Sequence, residues 1–160
     1  MRAIQVGDPL PSVPLFEKFP GNEVLLADLI GTKKAVVFAV PGAFTPGCTR
    51  VHLPGYVDAY DKLRSKGIEV IACIAVNDPF VVTAWGNAAG ATGKIRMLSD
   101  PRAEFTKAIG MDFDARPLLG TVRSKRYSML VEQGKVVQLF AEPDGGGLTC
   151  SLAPNLLSRL

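Results

Sequence analysis

The sequence holds one histidine, one tryptophan and three cysteines, and no two cysteines form a Cys-x-x-Cys pair. Cys48, Cys73 and Cys150 with His52 therefore lack the spacing of a four-ligand zinc site, and no structural metal is expected. An excess of one charge is also missing: 18 basic against 15 acidic residues leave a net charge of +3, which gives no polybasic footprint for nucleic acid. Long apolar runs are absent too. The longest, Ala35 to Val40 and Val70 to Val76, fall far short of the ~20 residues that cross a bilayer, so a soluble protein is expected. The segment Met1 to Pro9 contains no apolar stretch of the kind that directs secretion, so reduced thiols are expected, with a cleaved upstream transit peptide still compatible. No repeat or low-complexity tract divides the chain. Its 48% hydrophobic content suffices for one core, and residues 1–160 are expected to form a single domain.

What is present is an alternation of strand-like and helix-like patterns. Thr32 to Val40 reads as a buried strand stopped by Pro41-Gly42, and Ile68 to Val76 reads as a second. Between them, Cys48 to Lys66 has helical periodicity through Val51, Tyr56, Tyr60 and Leu63, with Gly67 as its cap and Pro54 expected to bend it. Asp78-Pro79 opens a helix to Ala89, and Asp100-Pro101 repeats that signal for a helix to about Ile109. Arg96 to Ser99 is strand-like. Arg126 to Val131 and Lys135 to Phe140 flank Glu132-Gln133-Gly134 as a hairpin. Gly145 to Gly147 reads as a hinge or loop, and Leu148 to Leu160 as a terminal helix interrupted early by Pro154. The order β-α-β-α-β-α-β-β-α implies an α/β class with a mixed central sheet flanked by helices. A thioredoxin-like fold would give this order, although order alone does not select it.

Cys48 follows a strand and a tight loop and opens a helix, which sets its sulfur near unpaired backbone N–H groups and the positive helix end. That placement favours a thiolate; the competing reading is a buried structural cysteine. His52, one helical turn on, shares its face, either as a packed neighbour or as a proton shuttle.

The stretch Val40-Pro41-Gly42-Ala43-Phe44-Thr45-Pro46-Gly47-Cys48 carries a Pro-x-x-x-Thr-x-x-Cys signature and resembles the peroxiredoxins. The resemblance continues through His52-Leu53-Pro54-Gly55, Val76-Asn77-Asp78, Trp85-Gly86, Arg126-Tyr127-Ser128-Met129 and Glu142-Pro143-Asp144 to Gly147-Leu148-Thr149-Cys150-Ser151-Leu152-Ala153-Pro154-Asn155. These segments look like the peroxiredoxin 5 branch of atypical two-cysteine enzymes, related to plant type II peroxiredoxins. The resemblance implies a thioredoxin-like fold and thiol-dependent reduction of hydrogen peroxide and alkyl hydroperoxides, with peroxynitrite as a further substrate, and no metal, haem or flavin cofactor.

On this resemblance Cys48 is the peroxidatic thiol, and Pro41, Thr45, Gly47 and Arg126 join it in holding the substrate. Thr45 can offer its hydroxyl to sulfur and peroxide, or simply cap the helix. Pro41 can shield a sulfenate from water, or simply stop the strand. Arg126 supplies the guanidinium, with Arg123 and Lys125 as rivals. Preplaced donors matter because acidity alone gains little: taking a thiol pKa from about 8.5 to about 5.5 raises the thiolate at pH 7 roughly 30-fold, while the Brønsted slope returns roughly 16- to 30-fold. Orientation and charge stabilisation on the leaving oxygen must supply the rate.

A second thiol has to capture the sulfenic acid. The resemblance assigns this to Cys150, in a segment that three glycines allow to move, with thioredoxin recycling the disulfide. Cys73 is the competitor, 25 residues after Cys48 as in plant type II enzymes, but its apolar strand implies burial. The alternatives are a glutaredoxin- or glutathione-dependent enzyme resolved by Cys73 or an external thiol, and a thioredoxin-like binding module without peroxidase activity. Further expectations are a monomer or weak homodimer that binds neither nucleic acid nor membrane. The expected location is intracellular, in cytoplasm, mitochondrion or peroxisome, because Ser158-Arg159-Leu160 resembles a peroxisomal address.

Overall fold

The computed structural model describes residues 3–160. Its centre is a seven-stranded mixed sheet in the order β2-β1-β5-β4-β3-β8-β9, formed by β1 (Leu15–Phe16), β2 (Glu23–Val24), β3 (Ala35–Val40), β4 (Val70–Ala75), β5 (Arg96–Ser99), β8 (Tyr127–Glu132) and β9 (Lys135–Ala141). Strands β3, β4 and β5 run parallel, while β8 lies antiparallel to β3 and β9 antiparallel to β8. The apolar runs of β3 and β4 are buried on both faces, as central strands between two helix layers must be. Val36, Phe38 and Val40 face one core with Leu53, Tyr56, Leu63, Val82, Trp85 and Leu156. Their alternates Ala35, Val37 and Ala39 face a second core with Leu26, Ile30, Phe105 and Ile109. The first layer comprises a π-helical turn (Cys48–His52), α2 (Leu53–Asp58), α3 (Tyr60–Ser65), α4 (Pro79–Ala88) and α7 (Ala153–Ser158); the second holds α1 (Leu26–Ile30) and α5 (Glu104–Ala108). A separate ribbon pairs β6 (Asp112–Asp114) with β7 (Val122–Ser124) around α6 (Arg116–Leu119).

The alternating core, the hairpin and the Asp78 cap match the sequence pattern. The Asp78 carboxylate accepts from the Val81 N–H at 2.9 Å. Gln133 and Gly134 turn the hairpin at φ 53° and 75°, the left-handed pair that suits a two-residue turn.

Several boundaries differ. The helix expected over Cys48 to Lys66 opens with a widened π turn, in which the Leu53 N–H reaches the Cys48 carbonyl, and breaks again at Ala59. Pro54 has no N–H and its ring crowds the carbonyl four residues back, so the wider turn lies where an α-helical bond could not form. The helix expected from Asp100 begins at Glu104 instead, after Ala103 in a left-handed conformation, and Asp100 caps it by accepting from Phe105 and Thr106 N–H at 3.2 and 2.8 Å. Pro154 does not interrupt a helix from Leu148; it starts α7 from the first turn, and the preceding residues form a loop. Leu160 packs against the core, so the last three residues are partly folded in rather than extended.

Candidate active site

Strand β3 ends at Val40, and residues 41–47 carry the chain into the π turn at Cys48. Pro41 is buried there and its carbonyl accepts from Arg123 Nη1 at 3.1 Å. The Asn77 side chain holds the loop from β4's end by accepting from Ala43 N–H at 2.9 Å. Thr45 then turns its hydroxyl toward both the Gly42 carbonyl at 2.7 Å and Cys48 Sγ at 2.8 Å. A hydroxyl has one proton and the carbonyl can only accept, so the two contacts are met together when the thiol donates to Thr45; a thiolate would claim the Thr45 proton for itself.

Arg126 approaches from just before β8, buried at 3% exposure. Its Nη2 donates to Cys48 Sγ at 3.3 Å and its Nη1 to His52 Nδ1 at 3.0 Å. Because a guanidinium only donates, Nδ1 must be the acceptor and Nε2 carries the proton, which it donates to the Ser151 carbonyl at 3.2 Å. Burial and the Arg126 charge hold His52 down to about 3, against an ordinary 6.5. The ring is thus neutral and packs 4.9 Å from the Phe38 ring. This describes an orienting neighbour of Arg126 and not a group that shuttles protons at neutral pH.

Gly47 lies beside the guanidinium. A Cβ built there would lie 3.3 Å from Arg126 Nη2 and 3.2 Å from Leu148 Cδ1, so any side chain would press on the donor. Among the rivals, Arg123 donates from Nη1 to the Pro41 carbonyl and its charge reaches Cys48, but among the described residues the cation whose side chain hydrogen-bonds the sulfur is Arg126. Trp85 supports the π turn by donating from Nε1 to Thr49 Oγ1 at 3.0 Å.

All three cysteines are free thiols. Cys73 lies in β4 with no exposure, and burial pushes its thiol well up. Cys150 is partly exposed, and its thiol donates to the Ala141 carbonyl at 3.5 Å. Burial raises it as well, followed by the nearby Glu142 charge. The glycine run before it is not a free hinge: Asp144 Oδ1 accepts from Gly146 and Gly147 N–H at 3.0 and 2.7 Å.

Sequence reasoning gave no role to Glu142, Tyr56 or Ser128. Tyr56 Oη and Ser128 Oγ join His52 in donating to the Ser151 carbonyl, at 2.8 and 2.7 Å. Glu142 accepts from both sides of Cys150, through Thr149 and Ser151 N–H. No local signal in the sequence marks Glu142, because its partners lie seven and nine residues further along the chain.

A thiol held by a hydroxyl and a guanidinium is suited to attack an electrophilic oxygen. Known proteins carry the same arrangement of chain. The redoxin family model matches residues 5–156. Peroxiredoxin-2E, chloroplastic, of Arabidopsis thaliana is 43% identical over 164 aligned residues, covering 99% of this chain and 70% of that protein. Reduced Prx3 of Vibrio vulnificus, solved in complex with hydrogen peroxide, superimposes with a TM-score of 0.92 at 41% identity, covering 98% of this chain and 99% of that one. Peroxiredoxin 5 of Alvinella pompejana gives 0.84 at 43%, again over 98% and 99%. The chain is a thiol-dependent peroxidase with a thioredoxin-like fold, and it belongs to the peroxiredoxins, in their peroxiredoxin 5 and type II branch.

Proposed function

We propose that Cys48 is the peroxidatic nucleophile and Cys150 the thiol that resolves it. The observation that carries the first half is the convergence of Thr45 Oγ1 and Arg126 Nη2 on one buried sulfur, at 2.8 and 3.3 Å. The Cys48 thiolate attacks one peroxide oxygen, the O–O bond breaks, and the departing alkoxide or hydroxide takes a proton to leave as alcohol or water. Arg126 sits where it can stabilise charge on both oxygens, and Thr45 where it can orient the peroxide. Pro41 and Gly47 form the walls of this site.

The sulfenic acid then condenses with Cys150, forming an intramolecular disulfide and releasing water. Burial of Cys73 within β4 supports Cys150 over it, because a thiol without solvent access ionises and moves poorly. A dithiol of the thioredoxin type returns the enzyme to its reduced state, in a cytoplasmic, mitochondrial or peroxisomal setting where such reductants operate. Two substitutions test the scheme. Cys48→Ser is expected to abolish peroxide consumption, and Cys150→Ser to leave one turnover per chain with thioredoxin. More than a few per cent of steady activity in Cys48→Ser would end the assignment.

A further inference from the structure

Taking Cys150 as the resolving thiol, we propose that Glu142 is a latch that docks the Thr149–Ser151 segment, and that its release sets how fast the Cys48 sulfenate is captured. Glu142 is buried at 1% exposure, yet no ion pair neutralises it among the described residues. Its acceptor sites are filled by one short stretch of chain. Oε2 accepts from Thr149 N–H at 3.0 Å, Ser151 N–H at 2.9 Å and Ser151 Oγ at 2.6 Å, and Oε1 accepts from Thr149 Oγ1. Burial alone would raise this carboxyl, but those donors outweigh it and hold it down to about 2, so it is charged at neutral pH.

Cys150 lies between the two residues that the carboxylate grips. Its sulfur is bonded to the Ala141 carbonyl, while Cys48 sulfur is bonded to Thr45 and Arg126. A disulfide requires the two sulfurs about 2.05 Å apart. Cys150 must therefore leave Ala141, and the N–H groups on either side, tied to Glu142, restrain the backbone that has to move with it. The step itself balances: Cys48–SOH and Cys150–SH give the disulfide and water, with peroxide as the oxidant already spent.

The docked position also serves the first half-reaction. The Ser151 carbonyl receives His52 Nε2–H, and His52 Nδ1 receives Arg126. Docking the segment thus completes the support of the guanidinium, and Glu142 holds it there. The Glu142 N–H donates to the Arg126 carbonyl at 3.0 Å, so the latch is anchored to the strand that carries Arg126.

Rapid-quench mass spectrometry on the full chain after a peroxide pulse separates sulfenate formation from disulfide formation. Glu142→Gln keeps the shape and one acceptor oxygen but removes the negative charge and the second acceptor, so the bonds from Thr149 and Ser151 lose their charge assistance. We expect disulfide formation to accelerate about tenfold, the equivalent of one charge-assisted bond, while sulfenate formation, which draws on the docked Ser151 carbonyl through His52 and Arg126, slows. The peroxide concentration that drives Cys48 to sulfinic acid should rise in proportion. Ser151→Ala, which removes the 2.6 Å bond alone, should move both readings the same way and serves if the Gln variant does not fold. In a Cys150→Ser background Glu142→Gln should leave sulfenate lifetime unchanged. Disulfide formation that is unchanged or slower in both single variants would overturn the latch. A disulfide that persists in Cys150→Ser would instead overturn Cys150 as the resolving thiol, and the latch with it.

Discussion

A lysine at position 126 would keep the cation and lose the fork. Arg126 serves two acceptors at once, Cys48 Sγ at 3.3 Å through Nη2 and His52 Nδ1 at 3.0 Å through Nη1, whereas a single ammonium cannot occupy both positions. Removal of one preplaced donor from a developing oxyanion costs about 2.7 to 4 kcal/mol, or roughly 10²- to 10³-fold in rate. Arg126→Gln should suffer that full loss. Arg126→Lys should lose about 10- to 100-fold, since the charge remains while its direction is no longer fixed. Stability should move far less than rate, because the buried guanidinium pairs with no carboxylate among the described residues and its Nε has no hydrogen-bond partner there. Loss of such a group removes a desolvation cost along with its bonds. Trp85 gives the assay: it is the one tryptophan, fully buried, and it is bonded to Thr49 beside the reacting cysteine. Stopped-flow Trp85 fluorescence against peroxide concentration yields the second-order constant of the first step. A Gln variant within threefold of the parent would refute the role of the guanidinium, and a Lys variant at the parental rate would refute the need for its fork.

Three further outcomes follow from the same geometry. Gly47→Ala brings a methyl to 3.3 Å from Arg126 Nη2 on helical backbone, so thermal stability should stay within about 1 kcal/mol while the peroxide rate falls about tenfold. For His52, the unfolded chain takes up a proton below its ordinary 6.5 that the folded chain refuses until about 3, so stability falls as pH drops through that window. Urea titrations should show a slope approaching about 1.4 kcal/mol per pH unit between pH 6 and 4.5, absent in His52→Gln, and an unchanged slope would mean the imidazole is not held neutral. Below about 4.5 the Glu142 carboxyl, held down to about 2 in the fold, adds a second loss of stability in the same direction; Glu142→Gln should remove that part only, as read by the same titrations.

The parts that were legible in sequence are those whose signals are local. The apolar runs of β3 and β4, the Asp78-Pro79 helix start and the Gln133-Gly134 turn each combine propensity and packing in a few consecutive residues. The signature around Cys48 is local as well, and it brought Thr45 to the sulfur. Arg126 came through the family pattern, since its contact spans 78 residues of chain. What was missed depends on tertiary pairing. The two-residue strands β1 and β2 hold their places by pairing with each other and with β5, not by their own pattern. Pro101 after Asp100 looked like Pro79 after Asp78, but the left-handed Ala103 delays the second helix by several residues. Glu142 reads as an ordinary acidic turn residue until Thr149 and Ser151 are folded back upon it.

Peptide mapping by mass spectrometry after one equivalent of peroxide, with thiols blocked at quench, tests the assignment of Cys48 and Cys150 together. The expected product is a single crosslink between the peptides holding Cys48 and Cys150, with Cys73 recovered as a blocked thiol. A Cys48–Cys73 crosslink, or a lasting Cys48 sulfenate with Cys150 free, would contradict the resolving step; recovery of Cys48 as an unoxidised thiol would contradict the nucleophile itself.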